Sequence, residues 1–283
     1  MRFLSIQSAV AYGHVGNSAA VFPLQRLGHE VWPVNTVHFS NHTGYGAWRG
    51  PMMPSEDVRA VVTGVQERGE FARVDAVLSG YQGGSDIAEV ILEAVDKVKA
   101  ENPSATYTCD PVMGNAKSGC FVSDLIPPLL RDRVVPKADI ITPNQFELGF
   151  LTDTNPTDLD STLASVDAAM EIGPSTVLVT SVERPDRPES TIEMIAADSS
   201  GAWIVQTPYL PLKANGSGDV ASALFTAHYR ASGSAASALG KTASSLFDLL
   251  QVTLDSGERE LQLIAAQDSY AHPAEQFEVQ QIR

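Results

Sequence analysis

The chain has 283 residues, with 34 Asp and Glu against 19 Lys and Arg, for a formal net charge of −15. That balance, with no basic run anywhere, argues against a nucleic-acid footprint and against attraction to an anionic membrane surface. A hydrophobic share of 43% suffices for a packed core, and the two cysteines, Cys109 and Cys120, form neither a disulfide framework nor a CxxC metal knuckle.

In chain order, Phe3–Gln7 reads as a short strand rather than as the apolar run of a signal peptide, and Asn17–Leu27 follows with helical spacing. Val31–Val37 is a second strand and Glu56–Arg68 a second helix. Val74–Ser79, Asp86–Ala100 and Ala105–Cys109 continue the alternation. Asp139–Thr142 and Thr176–Thr180 are strands on either side of the helix Leu159–Ile172, where Leu163, Val166 and Met170 recur at helical spacing. Strands that alternate with helices predict a mainly parallel sheet with helices on both faces and right-handed crossovers. After Val182 the pattern changes. Glu183–Glu189 is a polar, proline-bearing turn, and Thr191–Ala196 with Ala202–Gln206 reads as an antiparallel hairpin at the sheet edge. From Gly218 the chain reads as helical through Leu250, and again from Arg259 to Ala266. No stretch approaches the ~18 uninterrupted apolar residues of a membrane span. There is no internal repeat and no linker, so residues 1–283 read as one domain of a cytoplasmic protein.

Ligands of open α/β sheets bind beyond the carboxyl ends of the strands. The polar residues there are Ser8, Ser40 to Gly46, Gly80-Tyr81, Asp110 to Asn115, Thr142 to Glu147, and Thr180-Ser181. The sharpest local element is Asn215-Gly216-Ser217-Gly218-Asp219, set immediately before the helical run Val220–Arg230. Glycines at a helix entrance let a ligand approach the backbone, and the free N–H groups there attract anions. A carboxylate at the same entrance can take a proton from an attacking hydroxyl, a combination suited to phosphoryl transfer to an alcohol. Taken alone the motif is weak, because Asn-Gly and Ser-Gly are turn dipeptides and Asp is a common helix cap. There is no P-loop, no GxGxxG after the first strand, no HExxH and no GxSxG.

Six ordered segments resemble the ribokinase-like superfamily and, within it, the pyridoxal kinases of vitamin B6 salvage. They are Ser5-Ile6-Gln7-Ser8 with Tyr12-Gly13-His14-Val15-Gly16-Asn17; Val34-Asn35-Thr36-Val37 leading to Phe39-Ser40-Asn41-His42-Thr43; Leu78-Ser79-Gly80-Tyr81; Cys109-Asp110-Pro111-Val112-Met113-Gly114; Ile141 to Glu147; and Gly216-Ser217-Gly218-Asp219. The resemblance runs over most of the chain. It implies a three-layer sandwich and ATP-dependent phosphorylation of the 5′-hydroxymethyl group of pyridoxal. By position it implies Asp219 as general base and an anion hole from the N–H groups of Gly216, Ser217 and Gly218. Ser8, His42, Thr43 and Tyr81 fall on the substrate side. Asp110, Asn144, Glu147, Thr180 and Ser181 fall with the nucleotide, where Lys213, outside the resembling segments, would supply a positive charge, and Asp110, Thr142 and Glu147 fall with the metal. The resemblance further implies Mg²⁺, a monovalent cation (K⁺ or Na⁺) and a homodimer.

Three positions depart from the pattern. Thr180 stands where some bacterial relatives carry Lys, which removes one positive contact to phosphate. Asn115 stands where several place a metal-side acid, and Lys213 interrupts a more apolar approach to the glycine loop. Cys120 reads in two ways: as a thiol activated by nearby Lys117 that adds to the aldehyde of pyridoxal, or as a quiet small residue. His42 either contacts the substrate or fixes its own loop. His14 orders the first loop, and Trp32, Trp48 and Trp203 read as packing residues because no basic residues interleave with them. A hydroxymethylpyrimidine-type kinase would share the catalytic parts, and a weakly catalytic pyridoxal-binding protein is the non-enzyme alternative.

Overall fold

The computed structural model describes the whole chain, Met1–Arg283. Eleven strands are present: β1 Arg2–Val10, β2 Glu30–Phe39, β3 Ala76–Ser79, β4 Thr106–Cys109, β5 Gly114–Asn115, β6 Gly119–Cys120, β7 Ile140–Ile141, β8 Thr176–Val182, β9 Thr191–Asp198, β10 Gly201–Pro208 and β11 Val279–Gln281. The helices are α1 Asn17–Arg26, α2 Ser55–Glu67, α3 Ile87–Glu101, α4 Ile126–Leu129, α5 Gln145–Thr152, α6 Leu159–Ile172, α7 Ser217–Ser232, α8 Ala235–Ser256 and α9 Gln267–Ala271. No helix is long and apolar enough to cross a membrane.

Nine strands form one sheet in the order β11-β10-β9-β8-β7-β4-β3-β1-β2, and β5 and β6 make a separate small hairpin. The pairs β1·β2, β1·β3, β3·β4, β4·β7 and β7·β8 are parallel; β8·β9, β9·β10 and β10·β11 are antiparallel. Strand side chains alternate between two buried faces, as a sheet covered on both sides requires. Leu4, Ile6, Val77, Ile141, Val177 and Val179 pack with α2 to α6. Phe3, Leu78, Ile140, Leu178 and Ala196 face the opposite layer of α1, α7, α8 and α9. This is the expected three-layer α/β architecture.

Two expectations are corrected. The hairpin β9–β10 is not the sheet edge, because β11 pairs with Trp203, Ile204 and Val205 of β10. Arg259–Ala266 is not helical. There Leu261 and Leu263 are drawn into the core, the Tyr270 hydroxyl donates to the Leu263 carbonyl, and Gln262 N–H donates to Thr253 Oγ1 at 3.1 Å. These long-range contacts outweigh a local helical pattern.

The topology brings every useful strand end to one edge. β10 lies antiparallel to β9, which lies antiparallel to β8, so β10 runs with the parallel strands and delivers Tyr209 to Gly216 to that edge. Helix α7 is tied to the strand ends by polar contacts: Thr142 Oγ1 to Ser222 Oγ at 2.6 Å, and Thr226 Oγ1 to Thr108 Oγ1 at 3.0 Å. Beyond β8, Arg184 forks onto buried Glu193 of β9, with Nε to Oε2 at 2.6 Å and Nη2 to Oε1 at 2.9 Å. Removing one member of such a pair strands the other charge in the interior. Arg184→Met is expected to lower unfolding stability by about 3–5 kcal/mol, read by chemical denaturation. A loss below about 1 kcal/mol, the value of an exposed pair, would contradict this account of the β8–β9 connection.

Candidate active site

Helix α7 begins where Gly216 turns the backbone into the left-handed region at φ 87°. A Cβ at that position would overlap the carbonyl oxygen of His14, so only glycine lets the helix start come this close to the loop after β1. The first intrahelical bond is Val220 N–H to Gly216 O at 3.0 Å. The N–H groups of Ser217 and Gly218 therefore have no acceptor within the helix, and Gly218 is exposed with open space around it. Those two donors, at the positive end of a sixteen-residue helix, make an anion site.

Asp219 sits in the same turn. The atoms packed around its carboxyl push its pKa up to about 6, while the backbone N–H groups of Gly16 and of Asp219 itself pull it down. Asp110 and Glu147 share the region. Burial holds Asp110 well above the usual carboxylate range, the charges of Glu147 and Asp219 add to that, and the Ser222 hydroxyl opposes it. Glu147 is pushed up to about 7 by burial, against backbone donors and with the Asp219 charge adding. Three carboxyl groups thus converge at one edge of the sheet with no basic side chain among the causes of their shifts.

The oxygens of this cluster are not equally available. Glu147 Oε1 accepts from Met113 N–H at 2.8 Å and from Gly114 N–H at 3.3 Å, and Oε2 accepts from Asn144 N–H at 2.9 Å. The last contact is half of a capping box, in which Asn144 Oδ1 accepts from Glu147 N–H at 3.0 Å. The Thr142 hydroxyl is engaged with Ser222. Of the three residues expected at the metal, Asp110 is thus the one whose carboxylate is least committed to the protein. No three acidic, His or Cys side chains close into a ligand cage. That donor set suits Mg²⁺, which keeps several waters and takes one or two carboxylates together with substrate phosphates.

Beside the glycine loop lies a cleft of about 270 Å³. Leu212, Ala243, Leu246 and Leu250 form its apolar wall, Thr180 and Ser181 its polar side, and Ser217-Gly218 its inner end. Ser181 holds a left-handed backbone at φ 54°, where the β8–β9 register slips between Val179 and Val182. A non-glycine residue in that region carries strain that is commonly kept at functional sites. Asn144 and Thr180 are bridged across adjacent strand ends, and Asn144 Nδ2 donates to Gly114 O at 2.8 Å. Lys213 is exposed and lies outside the lining of this cleft; it is among the charges felt by His42 instead. Lys117, in the turn of the hairpin β5–β6, borders the cleft. Asn115 Oδ1 caps that turn by accepting from Lys117 N–H and Ser118 N–H, both at 3.0 Å, and Lys117 Nζ lies 5.9 Å from the centre of the Tyr209 ring. The amide at 115 therefore has a structural task of its own.

Cys120 ends the short hairpin β5–β6. The residue is exposed, but burial of its sulfur and the charges of Glu147 and Asp124 raise its pKa, while Lys117 is engaged over Tyr209. Cys109 is fully buried, as expected of a core residue.

Of the residues expected on the substrate side, Ser8 comes nearest Asp219, through Gly16, whose N–H faces the Asp219 carboxyl. Ser8 is buried against Gly16, where a Cβ would overlap both the Ser8 carbonyl and its hydroxyl. Tyr81 is partly covered and packs on the apolar group of Val10, Val15, Val37 and Phe39. Thr43 opens a short 3₁₀ turn, Thr43–Tyr45, capped by His42 Nδ1, which accepts from Gly44 N–H at 3.0 Å. His42 thus fixes its own loop with one ring nitrogen and leaves the other free. Two supporting features escape a reading of the sequence. Asn17 anchors a buried amide network through Ser5 Oγ at 2.7 Å and Asn35 Oδ1 at 2.9 Å. Ser222 stands three residues after Asp219, on the same helix face as that carboxylate, and that spacing was the available signal.

A mainly parallel sheet whose strand ends surround a glycine-rich helix start and a carboxylate cluster defines a ribokinase-like phosphotransferase. A family model described as phosphomethylpyrimidine kinase matches residues 51–261. Pyridoxal kinase PdxY of Leifsonia xyli subsp. xyli is 68% identical over 282 residues, and that of Corynebacterium diphtheriae 64%, each alignment covering 100% of both chains. The solved structure of pyridoxal kinase from Leishmania donovani in complex with ADP and pyridoxine superposes with a TM-score of 0.92 at 29% identity, covering 100% of this chain and 99% of that one. The chain belongs to the pyridoxal kinase family.

The raised pKa of Asp219 has a stability consequence in metal-free protein. Above about pH 6 the folded state carries a desolvated charge at a cost; below about 3.8, its unfolded value, the group is neutral in both states and the cost is gone. Asp219→Asn removes that cost where it exists. In EDTA the variant is expected to melt higher than the parent at pH 8, with the difference shrinking as pH falls through 6 toward 4. Equal melting at pH 8 would contradict the burial of the carboxyl.

Proposed function

We propose that this chain transfers the γ-phosphoryl group of ATP to the 5′-hydroxymethyl group of pyridoxal, giving pyridoxal 5′-phosphate, and accepts pyridoxine and pyridoxamine by the same route. The observation that carries the reading is the position of Asp219, between Ser8 and Gly16 on one flank and the free N–H groups of Ser217 and Gly218 on the other. The full-length identity to pyridoxal kinases supports the choice of alcohol, as do the related Leishmania donovani enzymes described with ADP and pyridoxine or pyridoxamine.

An alcohol has a pKa far above neutrality and needs a base within reach as the new bond forms. The Asp219 carboxylate, with a pKa near 6, is mostly ionised at pH 7 and accepts that proton. The Ser217 and Gly218 N–H groups, aimed along the helix axis, stabilise the charge spread over the transferring phosphoryl oxygens. Thr180 and Ser181 hydrogen-bond the nucleotide, whose base fits the apolar wall formed by Leu212, Leu246 and Leu250. Ser8, Thr43 and Tyr81 hold the pyridine ring, and the free nitrogen of His42 is available to a ring substituent. Mg²⁺ would be held by Asp110, with Glu147 behind it, and would neutralise the charge of the triphosphate. A chain of net charge −15 depends on such local devices, since its overall field repels ATP.

We read residues 1–283 as one kinase domain, since a single sheet takes strands from Arg2 to Gln281. The exposed Trp48, Met52 and Val61 offer apolar surface for the homodimer that the family resemblance implies. We read the protein as cytoplasmic, a compartment that supplies ATP. The family description as phosphomethylpyrimidine kinase keeps a hydroxymethylpyrimidine as the competing alcohol.

The test is incubation with Mg²⁺-ATP and either alcohol, following ADP and phosphorylated product, with K⁺ exchanged for Na⁺ to read the monovalent requirement. Product from pyridoxal, with kcat/KM at least tenfold above that for the pyrimidine, is expected; tenfold corresponds to about 1.4 kcal/mol of discrimination. Product only from the pyrimidine would move the substrate. Pyridoxal binding without ADP formation would select a binding protein.

A further inference from the structure

Arg259 and Glu260 lie in the stretch after α8, more than two hundred residues from the loops they touch. Glu260 Oε2 accepts from His14 N–H at 3.0 Å, and Oε1 accepts from the Tyr45 hydroxyl at 2.5 Å. One carboxylate thus joins the loop after β1 to the loop after β2. A Cβ at Gly13 would overlap that carboxylate, so the glycine there admits it. Arg259 completes the grip. Its guanidinium lies 3.6 Å from the centre of the Tyr45 ring, and Nη2 donates to Gly44 O at 3.0 Å.

The second loop carries the substrate-side residues His42 and Thr43, and the first lies against Ser8 through Gly16. The 3₁₀ turn Thr43–Tyr45 contains no buried residue, so core packing does not fix its position. What holds it from the far side is this pair. The first loop carries His14, whose carbonyl abuts Gly216 of the anion site, and Gly16, whose N–H faces the Asp219 carboxyl. The charges of Glu260 and Arg259 also reach His42, pulling its pKa in opposite directions. None of these contacts extends to Thr180, Ser181 or the apolar wall of the nucleotide cleft.

We propose that Arg259 and Glu260 are positioning residues for the alcohol substrate, clamping the Thr43–Tyr45 turn and the Gly13–Gly16 loop in the geometry that receives it. The inference rests on pyridoxal being that alcohol. The clamp acts on the vitamin and not on the nucleotide. It works through Tyr45, so removing the Tyr45 hydroxyl and removing the Glu260 carboxylate interrupt one path.

The experiment is steady-state kinetics of Tyr45→Phe, Glu260→Gln, Glu260→Ala and the double variant Tyr45→Phe/Glu260→Ala, with melting temperature measured in parallel. Glu260→Ala is expected to raise KM for pyridoxal about tenfold with KM for ATP within about twofold, the size expected when charge-assisted hydrogen bonds that hold only the loops of the alcohol site are lost. Tyr45→Phe, which leaves the backbone and the ring untouched, is expected to give a smaller rise of the same kind. Glu260→Gln keeps an acceptor oxygen and is expected to recover part of the loss. In the double variant the Tyr45 change should add little to the Glu260 change. An unchanged KM for pyridoxal in both Tyr45→Phe and Glu260→Ala would overturn the clamp, as would equal rises for pyridoxal and ATP that track the fall in melting temperature. If the parent enzyme made no product from pyridoxal, the function proposed above would fail, and the clamp as stated with it. An active parent with unsplit variants would overturn the clamp alone.

Discussion

The close approach of Gly216 to the His14 carbonyl sets the separation between the two halves of this site. With any side chain at 216 the start of α7 would have to retreat from the loop after β1. The Gly16 N–H would then lose the Asp219 carboxyl, and Ser8 would move away from that carboxyl. Much of the remaining architecture serves to hold α7 against that contact. Thr142 and Thr108 anchor it to the ends of β7 and β4 through Ser222 and Thr226, and Val220, Leu224 and Phe225 bury it against α8 and the sheet.

A second constraint is electrostatic. Asp110, Glu147 and Asp219 are gathered where burial and their mutual charges favour protonation. In isolation the arrangement is unfavourable, and in the function proposed above a divalent cation and the phosphates of the nucleotide would complete it. Glu147 is kept in place by three backbone donors, which leaves Asp110 to meet the incoming charge. Thr180 in place of a Lys fits the same proposed division of labour, in which helix N–H groups and metal would supply the positive charge that a side chain does not.

The alternation of strand and helix was legible because strands buried on both faces read as short apolar runs and amphipathic helices as 3.6-residue periods. Asp219 and its glycines were legible as a local motif, given meaning by the order of the other segments. What stayed hidden depends on distance in the chain. Residues 259 to 266 have a helical pattern, yet Leu261 and Leu263 are drawn inward while Arg259 and Glu260 reach back to Tyr45 and His14. β11 joins the sheet as a three-residue strand far from its partner in sequence. Lys117 stands near Cys120 in sequence, yet its Nζ lies over the Tyr209 ring, a neighbour that proximity along the chain does not announce. In each case a tertiary contact decided the outcome, and no local pattern reports such contacts.

The central claim is that Asp219 serves proton transfer rather than substrate capture. Its most direct test pairs equilibrium binding of pyridoxal with single-turnover phosphorylation in the parent and in Asp219→Asn. The account predicts dissociation constants within about threefold of one another and a phosphorylation rate lower by about a thousandfold, the pattern of an interaction made only in the transition state. A variant that binds pyridoxal equally well and phosphorylates it at a near-parental rate would contradict the account and remove Asp219 from the role of base.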